Sequence, residues 1–212
     1  MRTVPVNAER AYQVEIGINW RIALQDWVEG RQQVLVIASE KFPIETPYQT
    51  LLVPDGEMGK NLHVSEKLWN ALGVRDFGRK DLLIAVGGGA ITDLTGFVAA
   101  TWMRGIDWLV IPTTVAGMVD AAIGGKTGIN SDAGKNLIGS FHSPISVLID
   151  LSFTDTLSER DFAAGLAEVV KCGFISDPVI LNLLKEKSLK DVMNSKELLS
   201  ELVHRSVSVK AS

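Results

Sequence analysis

A largely parallel α/β sheet followed by an all-helical segment is the fold class predicted by three observations. Short, continuously apolar runs recur through the first three-quarters of the chain, longer amphipathic or glycine-opened stretches separate them, and the strand signal stops after residue 157. Runs with no polar face are expected of strands covered on both sides. Parallel neighbours require crossover connections, which the intervening helices supply. Residues 1–157 are therefore predicted to form a doubly wound α/β unit, and residues 158–212 the first part of an all-α unit.

The elements follow in order. Val4 and Val6, then Tyr12, Val14 and Ile16, alternate on either side of a polar Asn7–Arg10 stretch, the pattern of an antiparallel hairpin. A helix is predicted over Arg21–Glu29, then a buried strand at Val34–Ala38 and another at Leu51–Val53 before Pro54. A helix at Leu62–Leu72 leads to the strand Leu82–Val86, a glycine turn and a further helix. Trp108–Ile111 and Val147–Ile149 complete the strand series. Ser158-Glu159-Arg160-Asp161 reads as a helix cap, and helix then follows helix past Pro178 to Leu198, Leu199, Leu202, Val203 and Val207. The last helix reaches Ser212 without a glycine or proline stop, so its apolar stripe is expected to lack a partner within the chain, as in a helical unit cut short.

Composition narrows the function. With 46% hydrophobic and 22% charged residues, 212 residues can bury one core and part of another. The net charge of −4 and scattered Lys and Arg leave no basic stripe for a phosphate backbone, so nucleic acid is not an expected partner. The N-terminus has no apolar signal region and no run approaches a membrane span, so a cytoplasmic protein is expected, with no membrane partner. A single cysteine, Cys172, fits a reducing compartment and reads as a small buried thiol.

Chemistry concentrates between Val86 and Lys171. Gly87-Gly88-Gly89-Ala90-Ile91-Thr92-Asp93 lies at a strand-to-helix turn, either a tight connection or a place where a pyrophosphate meets free helix N–H groups. Pro112-Thr113-Thr114 puts two hydroxyls at the end of a strand, where ligands of open α/β sheets bind. Asp120 to Asn130 sets a carboxylate and Lys126 around a glycine pair, and Gly134-Lys135-Asn136-Leu137-Ile138-Gly139 adds a second glycine-hinged cation with an amide. Each alone reads as a surface loop; together they suggest a site for a polyanion. In Gly165–Lys171, Glu168 and Lys171 share one helix face crowded by small residues. That pair is either a solvated ion pair or a carboxylate placed for a divalent metal.

In order and spacing, these five segments resemble the 3-dehydroquinate synthase family, with Asp120–Gly139 the most specific block. A glycerol-dehydrogenase-like relative would share the fold and the glycine turn without that block. The resemblance implies a Rossmann-like domain followed by the start of an all-α domain. It also implies a phosphate-eliminating lyase that converts the seven-carbon keto-sugar-acid phosphate DAHP to 3-dehydroquinate in the shikimate pathway. NAD would be used catalytically and regenerated, zinc or cobalt would act as a Lewis acid, and the full-length protein would be a homodimer.

By motif, the resemblance places Asp55, Gly56, Glu57 and Lys60 on a nucleotide-contacting stretch, and Gly88, Gly89, Ala90, Ile91, Thr92 and Asp93 on the pyrophosphate turn. It places Thr113, Thr114, Lys126 and Lys135 beside the cofactor, with Phe153, Thr154, Asp155 and Thr156 as a further contact. Arg104, Asp120, Lys126, Asn136 and Lys171 fall on substrate positions, Arg104 reaching across a dimer, and Glu168 on the metal-ligating glutamate. Ser39 stands where many members carry an aspartate for the adenosine ribose, and Thr92 where glycine is frequent. The family completes its metal site with two histidines beyond the glutamate, which His63, His142 and His204 do not match. One carboxylate does not hold a catalytic zinc that takes three protein ligands, so residues 1–212 alone are expected to lack turnover. A sibling cyclase making a cyclitol and a catalytically dead NAD-binding fragment are the two other readings.

Overall fold

The computed structural model describes residues 1–212. β1 (Arg2–Asn7) and β2 (Ala11–Ile16) form the antiparallel hairpin, with Val4 opposite Val14. α1 (Trp20–Val28) is capped by Asn19, whose side chain accepts from the backbone of Arg21 and Ile22. β3 (Val34–Ser39) and β4 (Gln49–Val53) follow, then α2 (Leu62–Val74), β5 (Leu82–Gly87), α3 (Gly89–Thr101) and β6 (Asp107–Pro112). β7 (Lys126–Ser131) and β8 (Gly134–Phe141) make a separate two-stranded antiparallel hairpin before β9 (Ser146–Ile149). α4 (Glu159–Ile175), α5 (Pro178–Leu184), α6 (Leu189–Asn194) and α7 (Lys196–Ala211) complete the chain.

The main sheet has seven strands in the order β1-β2-β9-β6-β5-β3-β4, parallel except for the β1–β2 pair. Alternation along β5 shows how it is covered. Leu82, Ile84 and Val86 face a cluster that includes Trp20 and Leu24 of α1, while Leu83 and Ala85 belong to the larger core with Leu94 and Val98 of α3. Both faces are dry, which is why β3, β5, β6 and β9 carry no polar period, unlike β1 and β2. α3 is buried on nearly every side because the sheet lies on one flank and β7 on the other; Gly96 lets the Trp108 ring and Thr127 approach it closely.

Two sequence expectations are revised. The Lys126–Phe141 region, read as glycine-hinged loops, is a hairpin; its strands are glycine-rich and β8 is exposed along most of its length, so no apolar alternation marks it. The stripe on α7 does have a partner: Leu199, Leu202, Val203 and Val207 are fully buried. They pack against β1, α4 and the Gly117–Ala121 turn. β1 is one of the two edge strands, which leaves room for α7 against the larger core.

Candidate active site

The strand order fixes where a ligand can bind. From β3 the chain moves outward to β4, and from β5 it moves the other way to β6, so a crevice opens at the carboxyl ends of β3 and β5. The Gly87–Gly89 turn lies at this switch point. Gly88 caps α3 without a side chain, leaving the first N–H groups of the helix free for an anion. A Cβ on Gly88 would sit 3.2 Å from Thr114 Cγ2 and one on Gly89 3.1 Å from Ala121 Cβ, so side chains are kept out of the cradle by close packing behind it. Thr113 N–H donates to the Gly87 carbonyl at 2.9 Å, and Thr114 Oγ1 accepts from Gly117 N–H at 3.0 Å, fixing both threonines beside the turn. Thr92 lies buried in the first turn of α3, its hydroxyl donating back to the Gly88 carbonyl at 3.2 Å.

Across the crevice, Ser39 at the end of β3 donates its hydroxyl to Asp55 at 2.9 Å, which directs the carboxylate that follows β4. Gly56 has φ +59, a left-handed conformation that starts the turn through Glu57 to Lys60. The Lys60 side chain is only 3% exposed; its ammonium bonds the Asp93 carboxylate and donates to Asn136 Oδ1 at 2.5 Å. Burial pushes the Asp93 carboxyl above its ordinary value, against the pull of Lys60. A buried ammonium thus joins the turn after β4, α3 and the β7–β8 hairpin.

Beside this junction opens a cavity of about 510 Å³ lined by Asp93, Asp120, Lys126, Asn136 and Lys210, among others, with Leu137 and Phe141 forming an apolar wall. Asp120 sits on the π-helical turn Gly117–Ala121 and accepts from Lys210 Nζ at 2.5 Å. With Asp93 and Asp120 each held by a lysine, Lys126 is the cation of the lining that joins no ion pair, so an anionic group entering the cavity meets it first. Glu168 and Lys171 pair on α4; hydrogen bonding to Glu168 raises the Lys171 pKa, and the Asp120 charge adds to it.

Lys210 escaped the sequence reading. It follows Val203 by seven residues and Val207 by three, so it continues the buried stripe of α7, and a cation on an apolar stripe was the available signal. Other sequence-selected residues stand apart from the cavity. Lys135 is exposed next to Asn136. Phe153 stacks on Trp20, with centroids 6.3 Å apart, while Thr154 and Asp155 bind Lys196 at 2.7 and 2.6 Å. Thr156 donates to the Phe153 carbonyl at 2.8 Å, which closes the same turn. Arg104, with φ +65, lines a different concavity with Arg10, Arg79 and His142. For a metal, no three His, Cys, Asp or Glu side chains gather in a way that could hold an ion. Glu168 alone falls short of the three ligands of a catalytic zinc, so residues 1–212 do not make a metal site by themselves.

Comparison with known proteins agrees with this architecture. Residues 50–164 match the 3-dehydroquinate synthase N-terminal family and residues 165–212 the 3-dehydroquinate synthase C-terminal family. The chain is 54% identical to 3-dehydroquinate synthase of Mycolicibacterium gilvum, over 99% of this chain and 62% of that protein. It is 46% identical to the enzyme of Corynebacterium pseudotuberculosis, over 100% of this chain and 62% of the relative. Among solved structures, 2-epi-5-epi-valiolone synthase from Streptomyces hygroscopicus, with NAD+ and Zn2+ bound, aligns with TM-score 0.84 and 27% identity over 97% of this chain and 62% of its own. 2-Deoxy-scyllo-inosose synthase complexed with carbaglucose-6-phosphate, NAD+ and Co2+ shares the fold, with TM-score 0.83 and 24% identity over 99% of this chain and 61% of its own. The chain thus spans about 62% of the length of its curated relatives. With family matches that together run from residue 50 to 212, over a glycine cradle and a lysine-lined cavity at the switch point, the chain belongs to the 3-dehydroquinate synthase family.

Proposed function

We propose that the whole protein is a 3-dehydroquinate synthase, converting DAHP to 3-dehydroquinate and inorganic phosphate in the shikimate pathway. The observation that carries this reading is the meeting of Asp120, Lys126, Asn136 and Lys210 in one cavity beside the glycine cradle, in a chain of that family. NAD would rest its pyrophosphate on Gly88–Asp93 and contact Asp55–Lys60, Thr113 and Thr114; when bound it supplies reversible hydride acceptance. Lys126 would bind an anionic group of the substrate, and Asp120, held by Lys210, would accept a substrate hydroxyl. Asn136 would present its amide to the same ligand from the hairpin. Glu168 would be one ligand of a zinc or cobalt ion. Residues 1–157 would form the cofactor unit and 158–212 the opening helices of the second. In a homodimer, Arg104 would serve the partner's cavity, which accounts for its distance from the cavity of its own chain.

The test is phosphate release from DAHP by full-length protein supplied with NAD and zinc or cobalt. Turnover that is lost in Lys126→Ala and Glu168→Ala is the expected result. A parent protein that ignores DAHP but cyclises sedoheptulose 7-phosphate would move it to the cyclitol-forming siblings.

A further inference from the structure

We infer that Asn130 is a positioning residue that sets the shape of the β7–β8 hairpin from the cofactor side, and so couples dinucleotide binding to the placement of Lys135 and Asn136. The inference rests on the proposed function for its substrate arm only.

The hairpin is irregular at one place. Ile129 pairs with Ile138 and Ser131 with Gly134, so Asn130 alone on β7 faces three residues, Lys135 to Leu137, on β8. Such bulges re-aim side chains and need something to hold them. Asn136 occupies the left-handed region at φ +58, a conformation that asparagine tolerates but does not prefer. Asn130 holds it from the opposite strand, its Oδ1 accepting from Asn136 N–H at 3.0 Å. The other end of the same amide donates Nδ2–H to Glu57 Oε2 at 2.6 Å. Its backbone N–H donates to the Lys60 carbonyl at 2.9 Å, and Asn61 forms an isolated parallel bridge with it. Lys60 then closes the ring by donating to Asn136 Oδ1.

The chemistry requires an amide. An acceptor must face the Asn136 N–H and a donor must face the Glu57 carboxylate, and one short planar group presents both in opposite directions. Those two partners also fix which end of the amide is oxygen. Aspartate in its place would lose the donor and set a second carboxylate against Glu57. Because Glu57 and Lys60 belong to the turn that follows β4 at the crevice, a ligand that orders that turn also orders the bulge.

The test uses full-length protein with Asn130→Ala, Asn130→Asp, Glu57→Gln and the double variant Asn130→Asp/Glu57→Gln. NAD affinity is read by tryptophan fluorescence without substrate, and KM for DAHP at saturating NAD. Asn130→Ala is expected to raise both constants by about tenfold, the order of one hydrogen bond to a charged group. Asn130→Asp is expected to be worse. The double variant is expected to recover, because the introduced glutamine amide can donate to the introduced carboxylate and so reverse the polarity of the bond. Mere destabilisation would lower the active fraction, and with it the apparent kcat, while leaving KM and the NAD Kd in place. Unchanged constants in both single Asn130 variants, or a double variant no better than Asn130→Asp, would overturn the inference. A parent that binds NAD without turning over DAHP would sink the proposed function alone, since the NAD series still decides the role of Asn130. A parent that binds no NAD overturns both.

Discussion

Replacing Gly165 by alanine probes the joint between the helical segment and the site. Gly165 lies on α4 three residues before Glu168, where the helix meets the segment that follows Thr114. An added Cβ would stand 2.5 Å from Val115 Cβ and 2.8 Å from the Ala116 backbone nitrogen. Carbon atoms pack at about 3.5 to 4.0 Å, so α4 and the Val115–Ala116 backbone must part by about 1 Å. Overpacking of this kind costs about 1 to 3 kcal/mol, and the better helix propensity of alanine returns about 1 kcal/mol. Because one obstacle is main chain, the net loss should lie at about 1 to 2 kcal/mol, a fall in Tm of a few degrees at most in the longer full-length protein. A shift of about 1 Å between Glu168 and Asp120 would also lower turnover by about a hundredfold. Gly73→Ala is the matched control: on α2 its Cβ would meet Trp102 at an ordinary 3.5 Å, so it should stabilise by up to about 1 kcal/mol. Thermal unfolding and DAHP turnover of full-length protein measure both effects. If Gly165→Ala proves as stabilising as Gly73→Ala and keeps full activity, the close approach of α4 to Val115 is wrong.

Three further outcomes follow from other contacts. Lys210→Met should raise KM for DAHP roughly ten- to a hundredfold by freeing Asp120, measured against an unchanged Tm; an unaltered KM would remove Lys210 from the site. Burial alone would raise the Asp107 carboxyl, but hydrogen bonds from Arg10 and Arg31 outweigh it and hold it below its ordinary value. Its contribution is therefore present above the ordinary aspartate value near 3.9 and lost as pH falls through the folded value. Asp107→Asn should lower Tm at pH 7 by a few degrees, for about 1 kcal/mol, with the difference from the parent disappearing as both are titrated into acid. Cys172 is 4% exposed and burial raises its thiol pKa, so native protein should resist a thiol reagent until it unfolds. Rapid labelling of native protein would place the α4–α7 contact elsewhere.

The central strands β3, β5, β6 and β9 were legible because each is buried on both faces and so spells itself as a nearly unbroken apolar run, as in Leu82–Val86, while β1 and β2 showed themselves by alternation. The cap at Ser158 was local too, since a cap is satisfied within three residues. The β7–β8 hairpin was hidden because its ladder is carried by backbone groups of glycine and polar residues, with β8 left in solvent. Lys60 shows a different limit. Its place in a motif suggested a ligand contact, whereas its burial between Asp93 and Asn136 depends on residues 33 and 76 positions away. Lys210 and Asp120 are 90 positions apart, and no spacing rule joins them.

The seat of α7 on β1 sets an order of events in the making of this protein. The first strand is an edge of the sheet whose larger-core side is closed by a helix that begins at Lys196. At a synthesis rate of about 5 to 20 residues per second, that edge waits roughly 10 to 40 s for its cover. Throughout that interval Val4 and Val6 present a bare apolar flank to the cell, and a stalled or clipped chain would leave it open for good. Damage at α7 would thus be felt first at β1.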